Sequence, residues 1–315
     1  MRGGDCDHRK PMLRGDHGRK MKVLNYGSLN MDYVYSVHHI VREGETLAAE
    51  KREIFCGGKG LNQSIALARA GVPVYHAGAV GEDGGMLLQA CRENGIDASL
   101  IRKTPGASGH AVIQVDQNGR NSIVLFGGGN RSQTREYADE VLSRFGEGDI
   151  LVLQNEINLL DYIIDRAWKR KMFIALNPSP FNEAVQACDL KKVSLLLLNE
   201  IESAQITGKT DPDEVLDALS AQYPSMQIVL TLGEKGSVYA NGGRRVRQKV
   251  FQTQAVDTTA AGDTFTGFYL AGVVCGQSVE EALRTASKAA SIAVSRPGAS
   301  ASVPFMAEVL KGLGS

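Results

Sequence analysis

From Met21 onward the chain repeats one unit, a short apolar run followed by a turn and a helical segment, and this alternation limits the possible folds more than any other feature. Residues 22–27, 72–79, 150–153, 172–176, 194–198 and 228–232 read as buried strands. Between them, 60–70, 86–93, 159–170 and 211–222 read as helices, the first with Leu61, Ile65 and Ala68 on one face and Gly71 as its stop. Two long helices begin near Gly262 and Ser278, separated by the capping box Ser278-Val279-Glu280-Glu281. Apolar strands without polar alternation need cover on both faces, so the expected fold is α/β, three layers around a mostly parallel central sheet. Two β-rich stretches, about 32–56 and 109–126, break the rhythm. The second holds two apolar runs flanking Asn118-Gly119, a strong hairpin signal. Both stretches are expected to leave the main sheet and meet as a small β lid.

Composition narrows the class further. Hydrophobic residues make up 43% and charged residues 22% of 315, the balance of a globular protein with a sizeable core. Lysine plus arginine and aspartate plus glutamate both number 35, so net charge points to neither nucleic acid nor membrane as partner. No apolar run approaches the roughly 18 residues of a membrane helix, and a cytoplasmic location is expected. The five cysteines (Cys6, Cys56, Cys91, Cys188, Cys275) show no CxxC or zinc-ligand spacing and are expected to be free thiols. Residues 1–20 are charged and glycine-rich with little to bury, and are expected to be a disordered extension or tag ahead of one domain over 21–315.

The most informative segment is Asp257-Thr258-Thr259-Ala260-Ala261-Gly262-Asp263. Small residues admit close backbone approach, and the helix that starts where they end presents free N–H groups and the positive end of its dipole. Ala260, Ala261 and Gly262 would therefore offer donors to a phosphate. An acid beside such a site repels the ligand unless it has work to do, and removing a proton from an attacking hydroxyl is such work. The alternative is that Asp263 merely caps the helix.

This segment resembles the C-terminal signature of the ribokinase, or PfkB carbohydrate kinase, family. Cys56-Gly57-Gly58-Lys59-Gly60-Leu61-Asn62-Gln63 resembles the family's N-terminal signature, and Gly27-Ser28-Leu29-Asn30-Met31-Asp32 is a third match. The three lie in family order across about 21–305. The resemblance implies a ribokinase-like fold and ATP-dependent phosphorylation of a sugar, with Asp263 as base. It places Asn30, Asp32, Gly58, Lys59, Asn62 and Glu156 around the sugar, though Asp32 and Glu156 also read as loop acids and Asn62 as a first-turn helix residue. It places Asn177, Thr231, Gly233, Gly236, Gly262 and Ser287 around ATP. Asn199 and Glu202 match an Asn-x-x-Glu element tied to magnesium, in keeping with that ion's preference for oxygen ligands and retained water. Asp257 and Thr259, with Ala293, Arg296, Gly298 and Ser302, match a monovalent-cation site, most often potassium.

Two departures stand out. Ser287 occupies a position where members often carry Asn or His, and there is no GxxxxGK[ST] loop, so phosphate binding must rest on the 260–263 turn. D-Ribose is the first expectation for substrate. A ketohexose, deoxyribose, sugar acid or nucleoside is the runner-up, and a sugar-binding regulator without catalysis is a rival from another class. Resemblance to ribokinase also implies a homodimer joined through the lid.

Overall fold

The computed structural model describes residues 21–314, so Cys6 and the proposed extension lie outside the described residues. The chain opens with β1 (Val23–Tyr26), runs out through β2 (Asn30–Ser36) and returns through β3 (Lys51–Gly57) to α1 (Lys59–Arg69). β4 (Val74–Val80), α2 (Gly85–Glu93) and β5 (Asp97–Lys103) follow, and the chain leaves again as β6 (Gly109–Val115) and β7 (Asn121–Phe126). It resumes with α3 (Arg135–Leu142), β8 (Ile150–Gln154), α4 (Leu160–Lys169), β9 (Phe173–Asn177), α5 (Glu183–Gln186) and β10 (Leu195–Asn199). Then come α6 (Glu200–Thr207), α7 (Pro212–Gln222), β11 (Gln227–Thr231), β12 (Ser237–Asn241) and β13 (Arg244–Gln248). The last elements are α8 (Ala261–Val274), α9 (Val279–Val294), α10 (Ala299–Ser302) and α11 (Met306–Leu313).

Nine strands form the central sheet in the order β13-β12-β11-β10-β9-β8-β1-β4-β5. All its pairings from β5 to β11 are parallel, because a helix-bearing crossover returns the chain to the starting edge each time. β12 and β13 are antiparallel: the connection between them is only Gly242-Gly243, both at positive φ (51° and 86°), the geometry of a tight hairpin. The sheet has a core on each face. Leu61, Ile65, Phe268 and Leu283 bring α1, α8 and α9 onto one, while Leu142, Ile163 and Leu216 bring α3, α4 and α7 onto the other. Each such side chain, fully buried, is worth about 1.5–3 kcal/mol.

The two stretches that broke the rhythm do meet, in a four-stranded sheet ordered β3-β2-β6-β7. β2 and β6 are parallel to each other, Asn30 opposite Gly109 and Ser36 opposite Val115, while β3 and β7 fold back antiparallel on either side. All four strands therefore enter or leave this sheet along one line, marked by Asn30, Gly57, Gly109 and Phe126. β7 is an edge strand, and its consecutive Ile123, Val124, Leu125 and Phe126 are 52–66% exposed.

All six strands expected in the central sheet are present, as are the four shorter helices. β5 and the β12–β13 hairpin are additions. No helix among the described residues is long and apolar enough to cross a membrane. The expectation of free thiols holds for Cys56, Cys91 and Cys188, all buried, and does not extend to Cys275.

Candidate active site

Parallel strands all end on the same side, and the carboxyl ends of β9, β10 and β11 deliver Asn177, Asn199 and Thr231 to one cleft of about 240 Å3. Lys59 from the start of α1, Thr259 and Gly262 from the turn before and into α8, Glu202 and Asp263 also line it. Residues up to about 200 positions apart in sequence thus share one cavity.

α8 begins at Ala261, with Ala260 as a cap residue that offers no side chain to the helix. The turn differs from expectation in one donor: the N–H of Ala261 already donates to the carbonyl of Thr258 at 3.2 Å, because the chain tightens there as the helix starts. Asp263 lies three residues past the cap position, and its carboxylate turns away from its own helix. Oδ2 accepts from Asn62 Nδ2 at 3.0 Å and Oδ1 from Gln63 Nε2 at 2.9 Å. It is therefore no helix cap. Burial pushes its carboxyl above the ordinary range, while the Lys59 charge and the two amide donors pull it back toward the ionised form.

On the side facing the lid, Gly58 stands at φ 89° as the cap of α1, a left-handed conformation that glycine adopts at little cost. Just beyond it, the Lys59 N–H and the Ser28 hydroxyl both donate to Glu156 Oε2, at 2.9 and 2.5 Å, and Lys59 Nζ lies 3.6 Å from Glu156 Oε1. Burial works against the Lys59 charge, but Glu156, Asp263 and Glu202 outweigh it and hold the ammonium above its usual range. Asp32, on β2, is raised to about 7 by burial and by the neighbouring Glu156, with Lys59 opposing. The Asn30 side chain is fixed from behind: Asn130 Nδ2 donates to its Oδ1 at 2.7 Å. That leaves the Asn30 NH2 as the end free to meet a ligand.

Asn62, expected to contact the sugar, gives one Nδ2 hydrogen bond to Asp263 at 3.0 Å. Its Oδ1 is buried with no partner among the described residues, leaving an acceptor at the same place. Ser28, Gln63 and Asn130 went unremarked as separate contributors. Ser28 and Gln63 stand inside the motifs already quoted, and only Asn130 lacked a local signal.

Toward β9–β11, Asn177 Nδ2 donates to Leu197 O at 2.9 Å and the Thr231 hydroxyl to Leu198 O at 3.3 Å, pinning adjacent strand ends together. Asn199 and Glu202 form a capping box on α6. Both Glu202 oxygens accept from Asn199, from its N–H at 2.8 Å and its Nδ2 at 3.0 Å. Gly233 and Gly236 make a turn with φ of 52° and 95° at the end of β11. Ser287 is not among the cleft-lining residues. It is buried within α9, where the helix packs on its neighbours.

The turn before α8 is fastened to the C-terminal region. Asp257 accepts from the Thr259 N–H at 2.9 Å, the Thr259 hydroxyl at 2.5 Å and the Gly298 N–H at 3.0 Å. Burial would raise its carboxyl, but these donors lower it. Asp257, Thr259 and Gly298 are thus brought together. The Arg296 side chain pairs with Glu308 and the Ser302 hydroxyl donates to Ala299 O, contacts that leave open the backbone carbonyls expected to take part here, while the Ala293 carbonyl also accepts from the Arg296 N–H. Among the described residues, no group of three or more His, Cys, Asp or Glu is placed to hold a metal.

A carboxylate held by amides at a helix start, with a lysine and a ring of strand-end amides and hydroxyls around one cleft, suits transfer of a phosphoryl group to an alcohol. Comparison with known proteins agrees. Residues 20–306 match the model of the pfkB family carbohydrate kinases. The ribokinase of Haemophilus influenzae is 33% identical over 296 residues, covering 91% of this chain and 96% of the relative. The deoxyribokinase of Salmonella typhi is 30% identical over 295 residues, covering 90% and 96%. Among solved structures, Arabidopsis thaliana ribokinase complexed with ribose and ATP superposes with a TM-score of 0.83 at 30% identity, covering 94% of this chain and all of that one.

Proposed function

This chain belongs to the pfkB family of carbohydrate kinases, and on that premise we propose that it transfers the γ-phosphoryl group of ATP to the primary hydroxyl of D-ribose, forming ribose 5-phosphate and ADP. The observation that supports this above the others is the Asp263 carboxylate, buried at the start of α8 with both oxygens held by α1 amides on the wall of the cleft. As the sugar oxygen attacks phosphorus in line, the bond to the bridging oxygen of ADP breaks and the hydroxyl proton passes to Asp263. The remaining N–H groups of the 260–263 turn, without that of Ala261, and the Lys59 ammonium face the charge that builds on the transferring group. Asn30, through its NH2, and Asp32 bind sugar hydroxyls from the lid root, opposite Glu156 and Lys59. Asn177, Thr231 and the Gly233–Gly236 turn flank the nucleotide.

Glu202, whose two oxygens each accept a hydrogen bond from Asn199, suits magnesium through a retained water. When bound, that ion would neutralise phosphate charge. Asp257 and Thr259, tied to Gly298, would hold a potassium ion behind the turn and fix its shape. The exposed apolar edge of β7 favours a homodimer paired through the lid, which would cover it. A cytoplasmic enzyme, acting where ATP is made, fits this reading.

The test is ADP release over a panel of ribose, deoxyribose, ketohexoses, sugar acids and nucleosides, with and without potassium. Ribose is expected to give the highest kcat/KM, and Asp263→Asn to lower kcat by about 10²–10⁴ while sugar still binds. Preference for deoxyribose would move the assignment to the activity named for the Salmonella relative. Tight sugar binding without turnover would replace it with a regulatory protein.

A further inference from the structure

We propose that Gln63 is a positioning residue for the Asp263 carboxylate, and that Gln154 and Asn25 fix which end of the Gln63 amide it presents. The inference rests on Asp263 being the base and adds what keeps it usable as one. Asn25, Gln63 and Gln154 have no exposed surface, and their side chains form a continuous chain beneath the cleft. Gln63 Nε2 donates to Asp263 Oδ1 at 2.9 Å. Gln154 Nε2 then donates to Gln63 Oε1 at 2.7 Å and to Asn25 Oδ1 at 3.0 Å. Asn25 Nδ2 donates to Gly60 O at 2.7 Å and to Ser64 Oγ at 2.8 Å. Ser64, having accepted, turns its own hydrogen to His76 Nδ1 at 2.8 Å, and His76 Nε2 faces Gly27 O at 3.3 Å.

Each amide has a fixed orientation: Gln63 turns its NH2 toward Asp263, and Gln154 gives its NH2 to the oxygens of both Gln63 and Asn25. Asn25 turns its NH2 away toward Gly60 and Ser64, while Gln154 Oε1 is buried with no partner among the described residues. An ionised carboxylate only accepts, so Gln63 must show it the NH2 end. The Gln63 oxygen then needs a donor behind it, which Gln154 supplies, and the Gln154 amide is aligned in turn by Asn25. Reversing any one amide would set two oxygens or two NH2 groups against each other in a dry interior. The far end adds no second charge near working pH, because burial lowers His76 to about 4. The other charged groups facing Asp263 are Lys59 on α1, which favours its ionised form, and Glu156 after β8, which opposes it; Glu202 and Asp32 act at one remove, beside Lys59 and Glu156. Burial raises the Asp263 carboxyl and so works against the ionised form that a base needs. The Gln63 donor is one of the few groups that counter this, and it does so from outside the sugar and nucleotide sites.

Gln63→Met keeps the length and removes the donor. It is expected to lower kcat roughly 10- to 100-fold, leave KM for sugar and ATP nearly unchanged, and move the acid limb of the kcat/KM profile up by about one pH unit. Gln154→Met should shift the limb the same way by less. Gln63→Glu keeps the size, and donates only while protonated, so its activity should fall as pH rises where wild-type activity is flat. Carboxyl-carbon NMR titration of Asp263 in wild type and Gln63→Met reads the same effect without turnover, so it reports on the positioning even if the kinase reading fails in the sugar panel. An unmoved Asp263 titration and an unmoved acid limb in Gln63→Met, or a wild-type profile for Gln63→Glu, would overturn the proposal.

Discussion

In the floor of the cleft, Asn25, Gln63 and Gln154 are polar and fully buried; in the lid, Ile123, Val124, Leu125 and Phe126 are apolar and more than half exposed. Each inverts the usual placement of its residue type, and the cause differs. The floor residues meet most of one another's hydrogen-bonding needs, so burial costs them little and leaves a carboxylate rigidly aimed. Among the described residues, nothing buries these lid side chains. The floor is completed by folding, whereas the apolar face of β7 is left exposed by it.

The sharpest attempt to break this contrast is a methyl group in the floor. A Cβ at Gly60 would lie 2.3 Å from Ser28 N and 2.6 Å from Gly27 C, all backbone that cannot yield. Gly60→Ala should cost roughly 3 kcal/mol and lower Tm by about 6–10 °C. Gly119→Ala at the lid hairpin, with open space around it and only its φ of 75° to resist, should cost about 1 kcal/mol. Equal costs, measured by thermal and urea unfolding, would erase the distinction.

A smaller effect lies at the seam between the regions. Asp32 has its carboxyl raised to about 7 from 3.8, so the folded apo-protein prefers it neutral. Its contribution to stability is complete below the unfolded value and is lost as pH rises through 7. Asp32→Asn should therefore leave apo stability unchanged near pH 3.5 and raise it by roughly 1–2 kcal/mol at pH 8, while weakening sugar binding. A variant less stable than wild type at pH 8 in urea denaturation contradicts this. The smallest effect on folding is expected at the lid edge. Val124→Lys should change unfolding of the chain by less than about 0.5 kcal/mol, yet convert a dimer to a monomer in analytical ultracentrifugation. A wild-type protein already monomeric at micromolar concentration would sink the lid-paired dimer.

Much of the scaffold was legible because its signals are local. Apolar runs gave the parallel strands, Asn118-Gly119 gave the lid hairpin, and the small residues before Asp263 gave the helix start. The β12–β13 hairpin carried a comparable signal in Gly242-Gly243, which weighs little until both flanking runs are read as strands. The hydrogen-bonded floor was not legible, since Gln63 meets Asp263 across 200 positions and Gln154 across 91. Nothing near an isolated glutamine says which distant group it will face. Asn62 shows the same limit: its motif was recognised, but its direction is set by α8 packing on α1.

The shared root line of the lid has a mechanical consequence. With four strands crossing together at Asn30, Gly57, Gly109 and Phe126, the sheet resembles a door hung along one side, not a flap on a single tether. Any swing would then carry the distant rim near Ser36, Val115 and Asn121 through the widest arc and barely displace Asn30 at the jamb. Selection of the sugar by that residue would be finished while the door still stood ajar, leaving the rim only to shut out water.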